Sequence, residues 1–323
     1  MKKIFGVTLL LALLFSGCNR SGNEVLTEIS VAYFPNITHA QALVMKGEGL
    51  LEEKLGGEIT VKWIAFNAGP SEIEALFAGE IDIGYIGPVP AINGYVQSQG
   101  DLRIIAGASN GGSVLVSRND AAINSAADLD GKTVGVPQFG NTQHLSLLSL
   151  LSANGLSPAA NGGTVNVVQS SNADIANLMD QKNIDAALVP EPWGSILEIE
   201  HGAQVVLDYD EVDVNGIPST AVVIVSKDFL DNHRDIVNKF MEAHKEATLF
   251  INANDVRDVI NAQISAITQS TIDLGILESA LKRLEITCEI PAASIMDFAR
   301  VGIAEQLITE MPADDLIDES FIK

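Results

Sequence analysis

The chain has 323 residues, enough for two cores of ordinary domain size. With 47% apolar and 19% charged residues it is globular, not disordered. Its 42 acids against 19 bases leave a net charge of −23, which argues against a nucleic-acid partner, because phosphate binding needs a basic face. The same balance does not exclude a small anion, since the local field of a pocket can oppose the global one.

The N-terminus reads as a targeting segment. Lys2 and Lys3 precede an apolar run over 4–15 that is too short to span a bilayer and ends in small residues, Ser16 and Gly17. Residues 1–17 are therefore expected to be a cleaved signal. Cys18 directly after Ser16-Gly17 resembles the bacterial lipoprotein box, with Phe15 departing from the usual Leu, so Cys18 is the expected lipid-attachment site. Residues 18–26 form a polar tether. With Cys18 lipidated, Cys288 stands alone; its alternation with Leu284, Ile286 and Ile290 predicts a buried structural thiol on a strand.

Strands are predicted over 29–34, 59–66, 81–86 and 102–108, with helices at 39–46, after Ser71 and from Pro90. Residues 47–57, rich in glycine, are predicted to turn the chain, and Asn110-Gly111-Gly112 to break it before a strand at 113–117. The second half repeats the scheme. Strands at 134–136, 165–168, 184–189 and 203–207 alternate with helices, one of which (142–153) carries Leu145, Leu148 and Leu151 on one face. An apolar strand follows over 220–226, and the remainder is mostly helical.

The two halves share a doubled unit. Ile81-Asp82 and Ile184-Asp185 each open a short apolar run that breaks at Pro-x-Pro, Pro88-Val89-Pro90 and Pro190-Glu191-Pro192. Upstream, Asn36-Ile37-Thr38-His39 matches Asn141-Thr142-Gln143-His144. Each matched loop follows a strand and precedes a helix, where free backbone amides and the positive helix end attract an anion. Asn36, Thr38, Asn141, Thr142 and Gln143 add neutral donors, and none of these loops holds Lys or Arg. Asn36 and Thr142 also suit plain helix capping. Trp193 suits stacking on a ligand or packing below its loop. Glu191 suits an amine or solvent. His39 and His144 lack a third ligand at metal spacing, so no metal and no cofactor is expected. Gly111-Gly112 either lets backbone approach a ligand or shapes a turn. Gly-x-Ser-x-Gly, His-Glu-x-x-His and a phosphate-cradling loop with Lys are all absent from the sequence.

Four stretches, 33–40 (Tyr-Phe-Pro-Asn-Ile-Thr-His-Ala), 66–71 (Phe-Asn-Ala-Gly-Pro-Ser), 84–88 (Gly-Tyr-Ile-Gly-Pro) and 191–193 (Glu-Pro-Trp), together resemble the substrate-binding proteins of bacterial ABC importers. The similarity is to the branch for aliphatic sulfonates, taurine and nitrate. It implies an α/β, two-lobe periplasmic-binding-protein type II fold, each lobe a mostly parallel sheet flanked by helices. Residues 27–114 and 218–323 would form one lobe and 115–217 the other. It also implies a monomer outside the cytoplasm that is not an enzyme and hands a small anion to a permease and its ATPase, held to the membrane only by its lipid. The site expected on this basis comprises Asn36, Thr38, His39, Ser71, Gly87, Pro88, Val89, Gly111, Gly112, Asn141, Thr142, Gln143, Glu191 and Trp193. The alternative within the same fold is a pyrimidine-precursor-binding protein or enzyme.

Overall fold

A computed structural model describes residues 26–213 and 218–322. Cys18 and the signal segment lie outside the described residues.

The strands are β1 (Glu28–Tyr33), β2 (Thr60–Ala65), β3 (Ile83–Ile86), β4 (Leu102–Gly111), β5 (Ser113–Ser117), β6 (Thr133–Val136), β7 (Asn166–Gln169), β8 (Ala186–Pro190), β9 (Gln204–Leu207), β10 (Ser219–Ser226) and β11 (Leu284–Ile286). They build two sheets, one ordered β11-β4-β10-β3-β1-β2 and the other β7-β6-β8-β5-β9. β1 lies parallel between β2 and β3, and β6 parallel between β7 and β8. The doubled unit therefore appears as the same winding twice. Strands β10 and β11 run opposite to the rest of the first sheet and β5 to the rest of the second, and the inner ones are β10, between β3 and β4, and β5, between β8 and β9. Each is the strand that directly follows a passage from the other lobe. The chain thus enters each sheet in reverse, and the two lobes are stitched twice.

Side chains alternate between the faces of each sheet, as the strand period requires. Val31, Tyr33, Ile83, Tyr85, Val223 and Val225 meet Phe240 and Ile260 on one face of the first sheet. Ala32, Ile86, Val222 and Ile224 meet Leu76, Ile92 and Phe298 on the other. In the second sheet Leu115, Val134, Val136 and Leu188 pack with Leu147 and Leu151, while Val114, Val116 and Val189 pack with Ile175 and Leu197. Strands covered on both sides have no polar face, which is why the sequence showed apolar runs and little alternation.

The Ile-Asp pairs have matched structural roles. The Asp82 carboxylate accepts the Ser30 amide at 2.8 Å, and the Asp185 carboxylate accepts the Thr133 amide at 2.9 Å, so each acid pins the strand beside it.

Three expectations are corrected. Residues Leu50–Leu55 are a helix, not a glycine turn: Leu51 and Leu55 are buried one turn apart, and Gly49 and Gly56, with φ of +70° and +79°, end the short helices on either side. β4 continues through Asn110 and Gly111 because both pair with β10 or β11. β11 ends at Ile286, and Cys288 is half-buried beyond it, its thiol donating to Thr248 Oγ1. The first passage between lobes falls at Gly112, with Ser113 and Val114 already paired in the second sheet. Gly111 and Gly112 both have left-handed φ, +70° and +72°, and a Cβ on Gly112 would sit 2.7 Å from Leu284 Cδ2. Gly56 has a similar φ and open space around it. We expect Gly56→Ala to lower the unfolding free energy by about 1–2 kcal/mol from φ alone. Gly112→Ala should cost more, because Leu284 must also move. Urea melts of the two variants check this, and equal losses would show that the Leu284 contact costs nothing.

Candidate functional site

The carboxyl ends of the parallel strands from both sheets face one cleft, where open α/β sheets place their ligands. The first lobe contributes Phe34, Asn36, Thr38 and His39 after β1, Asn67, Ala68 and Gly69 after β2, Gly87 and Pro90 after β3, and Thr220 from β10. The second contributes Pro137, Asn141, Thr142 and Gln143 after β6, Asn172 after β7, and Pro190 from β8. The cleft holds about 340 Å³ of atom-free space, part of it continuous with solvent. Four helices begin at this lining: Gly69–Phe77, Pro88–Ser98, Thr142–Ala153 and Asn172–Asp180. The amides of their first turns lack intrahelical acceptors, so they present donors and partial positive charge to the cleft. Pro88 and Pro90 have no N–H, which leaves Val89 as the donor between them.

Among the described residues no Lys, Arg, Asp or Glu lines the cleft. Its polarity comes from amides and hydroxyls whose orientation is set by their own partners. Thr38 Oγ1 donates to Asn36 Oδ1 at 2.5 Å. Asn141, the N-cap of its helix, accepts the His144 amide on Oδ1 at 2.8 Å and donates through Nδ2 to Gln143 Oε1 at 3.1 Å. Gln143 in turn donates to Ser113 Oγ at 2.9 Å. The oxygens of Asn36, Asn141 and Gln143 are thus occupied within the protein, and their NH2 groups keep hydrogens to give. Two buried atoms of the lining have no protein partner: Thr142 Oγ1 and Asn172 Oδ1. Thr142 reaches across the cleft to Gly87, where a Cβ would come within 2.3 Å of Thr142 Oγ1.

His39 and His144 hold matched loops. The Phe34 amide donates to His39 Nδ1 and the Gly140 amide to His144 Nδ1, each at 3.0 Å. Burial lowers the pKa of His39 to about 3 and of His144 to about 4, so both rings are neutral at pH 7. With Nδ1 accepting, the remaining proton sits on Nε2, and His39 brings that donor to the lining. Among the described residues no group of three or more His, Cys, Asp or Glu could hold a metal ion.

Several expected site residues fall elsewhere. Glu191 is fully buried and faces protein: its carboxylate accepts from Ser195 N and Oγ, each at 3.0 Å, and from Arg283 Nη1 at 2.9 Å. Burial pushes its pKa up, against the pull of Ser195 and the Arg283 charge. Arg283 comes from the first lobe and also binds Glu198 and Asp208 of the second, so this cluster braces the lobes. The Glu191 carbonyl, not its carboxylate, bridges to the β1 loop by accepting the Ile37 amide at 3.2 Å. Trp193 packs against the core of the second lobe, and the Val89 side chain lies in the core of the first. Pro88 is buried without lining the cleft, and Gly111-Gly112 forms the passage between sheets. Ser71 donates across the lobes to Gln138 at 3.3 Å, at the side of the cleft. Asn36, Thr38, His39, Gly87, Asn141, Thr142 and Gln143 do meet there. Sequence reasoning missed Phe34, Asn67, Ala68, Gly69, Pro90, Pro137, Asn172, Pro190 and Thr220.

This geometry, two like-wound lobes closing strand ends over a donor-lined cleft, defines a two-lobe solute-binding protein. A family model described as the NMT1-like family matches residues 22–265, and the chain belongs to that family. It is 26% identical, over its whole length and 96% of the relative, to a Bacillus subtilis (strain 168) protein named for binding aliphatic sulfonates. It is 29% identical to the taurine-binding periplasmic protein of Escherichia coli (strain K12), over 68% of this chain and 65% of that one. The alkanesulfonate-binding protein SsuA from Xanthomonas axonopodis pv. citri, solved bound to MOPS, shares the fold with a TM-score of 0.76 at 19% identity, covering 91% of this chain and 99% of its own. These findings agree with the resemblance to the ABC-importer branch and with the two-lobe α/β fold.

A neutral histidine in the folded state and a titrating one in the unfolded state make stability depend on pH. The folded pKa of His144 is depressed to about 4 from 6.5. Its contribution is therefore complete above pH 6.5 and is lost as pH falls toward 4. Glu72, buried with neither carboxylate oxygen partnered, is pushed upward by burial and acts in the opposite sense, so the comparison is between variants. Between pH 7 and 5 the parent should lose about 1–2 kcal/mol more stability than His144→Asn, whose Oδ1 can replace Nδ1 as acceptor. Urea melts at both pH values measure the difference; parallel losses would mean that His144 is not held neutral.

Proposed function

We propose that the protein is an extracytoplasmic solute-binding protein that delivers a small anion, a sulfonate, to an ABC importer. The observation that carries this is the cleft lining: four helix N-termini and three amides with occupied oxygens offer donors, and among the described residues no charged side chain lines it. A sulfonate spreads one negative charge over three acceptor oxygens, which neutral donors in a low-dielectric site can satisfy. A doubly charged phosphate monoester would call for a cation in the lining. Phe34, Pro90, Pro137 and Pro190 supply apolar walls for a short hydrocarbon tail. The names of the relatives support the same ligand class.

The two lobes are taken to be the expected ones, residues 27–114 with 218–323 and residues 115–217, except that the first boundary moves to Gly112, since Ser113 and Val114 pair in the second sheet, and the protein is read as a monomeric carrier, not an enzyme. Anchoring through Cys18 after removal of residues 1–17 is part of the proposal. Cys18→Ala should move the protein from the membrane fraction to the soluble fraction, and unchanged partitioning would remove the lipid anchor.

The ligand assignment is tested by calorimetric titration of short alkanesulfonates. Thr142→Ala should weaken binding by roughly 1–3 kcal/mol, the loss of a donor to a charged group. Tight binding of a neutral pyrimidine precursor with no binding of any sulfonate would overturn the assignment.

A further inference from the structure

The cleft has two kinds of polar surface. Asn36, Asn141 and Gln143 have their oxygens occupied by Thr38, the His144 amide and Asn141, and the NH2 groups of Asn141 and Gln143, engaged once each by Gln143 and Ser113, keep one hydrogen apiece. Asn172 is the exception: it begins the helix Asn172–Asp180, is 6% exposed, lines the cleft, and keeps an amide oxygen with no donor. A buried carbonyl left without a partner costs free energy, so this oxygen favours any ligand that brings it a hydrogen. The anion itself brings none. Glu191, which from the sequence suited an amine or solvent, is unavailable, its carboxylate being shared between Ser195 and Arg283.

We propose that Asn172 is the specificity-determining acceptor of the site, and that the protein selects sulfonates whose tail carries an amine or hydroxyl over plain alkanesulfonates. This rests on the sulfonate reading above. The head is held by the helix amides, Thr142 and the NH2 groups, while the donor on the tail satisfies Asn172 Oδ1. Discrimination of this kind is steep, because a ligand lacking the donor leaves the buried acceptor unpaired. It also leaves the net charge of the cleft at zero, so the sulfonate meets no carboxylate.

The test is calorimetric titration of the full chain and two variants with taurine and with ethanesulfonate. The parent should bind taurine more tightly. Asn172→Ala should weaken taurine by about ten- to a hundred-fold, with a much smaller change for ethanesulfonate. Asn172→Asp places a carboxylate at the first position of a helix, where the helix dipole favours negative charge. It should keep taurine binding and weaken ethanesulfonate through charge repulsion. Thermal melts establish that each variant is folded. Equal losses for both ligands in Asn172→Ala, or loss of taurine binding in folded Asn172→Asp, would overturn the proposal and make Asn172 a contact to the head. Equal affinity of the parent for the two ligands would also overturn it while leaving the sulfonate reading intact. Failure of the parent to bind either would remove both.

Discussion

The site depends on buried hydrogen-bond acceptors being spent before the ligand arrives. Asn36, Asn141 and Gln143 could each present an oxygen or an NH2 to the cleft, and an amide free to turn would select nothing. Thr38 Oγ1, the His144 amide and Asn141 Nδ2 fix the choice by occupying the oxygens. The backbone makes the same choice at the helix starts, where only N–H groups are left over. The two histidines extend this order by one layer: each accepts a loop amide on Nδ1, holds its loop at the strand end, and stays neutral because it is buried. A site of neutral, pre-aimed dipoles costs little to reorganise when an anion enters, which is what an electrostatic site in a low dielectric needs.

Charge is kept out of the cleft and used at the crossing. Arg283 meets Glu191, Glu198 and Asp208 from the opposite lobe, at 2.9, 3.0 and 2.9 Å. Burial opposes its charge, yet the carboxylates around it, Glu191 foremost, hold it protonated. Removing such a partner leaves a buried carboxylate uncompensated, and this cost binds the lobes more strongly than the pair's own attraction would suggest. The brace stands beside the passage at Gly111-Gly112, where left-handed glycines let the chain turn from one sheet into the other.

Much of this was legible because the chain repeats itself. Two Ile-Asp pairs, two Asn-x-x-His loops and two Pro-x-Pro breaks gave the doubled alternation of strands and helices and several of the donors. The reversed strands β5 and β10 were not legible, since a strand covered on both faces reads the same in either direction. Glu191 was misassigned for a related reason. Its place at a strand end was visible, but the guanidinium that claims it is 92 residues away. Trp193 was ambiguous between ligand and core, and packing decided for the core. Asn172 was passed over because a single Asn after Ser170 and Ser171 carries no local mark of burial.

The most direct measurement is a crystal structure of the protein with a bound alkanesulfonate. The account predicts that the sulfonate oxygens lie within hydrogen-bond distance of Thr142 Oγ1 and of the first-turn amides of the helices at Pro88 and Thr142, with no Lys or Arg in contact. A sulfonate bound elsewhere, or held in the cleft by a cationic side chain, would contradict it.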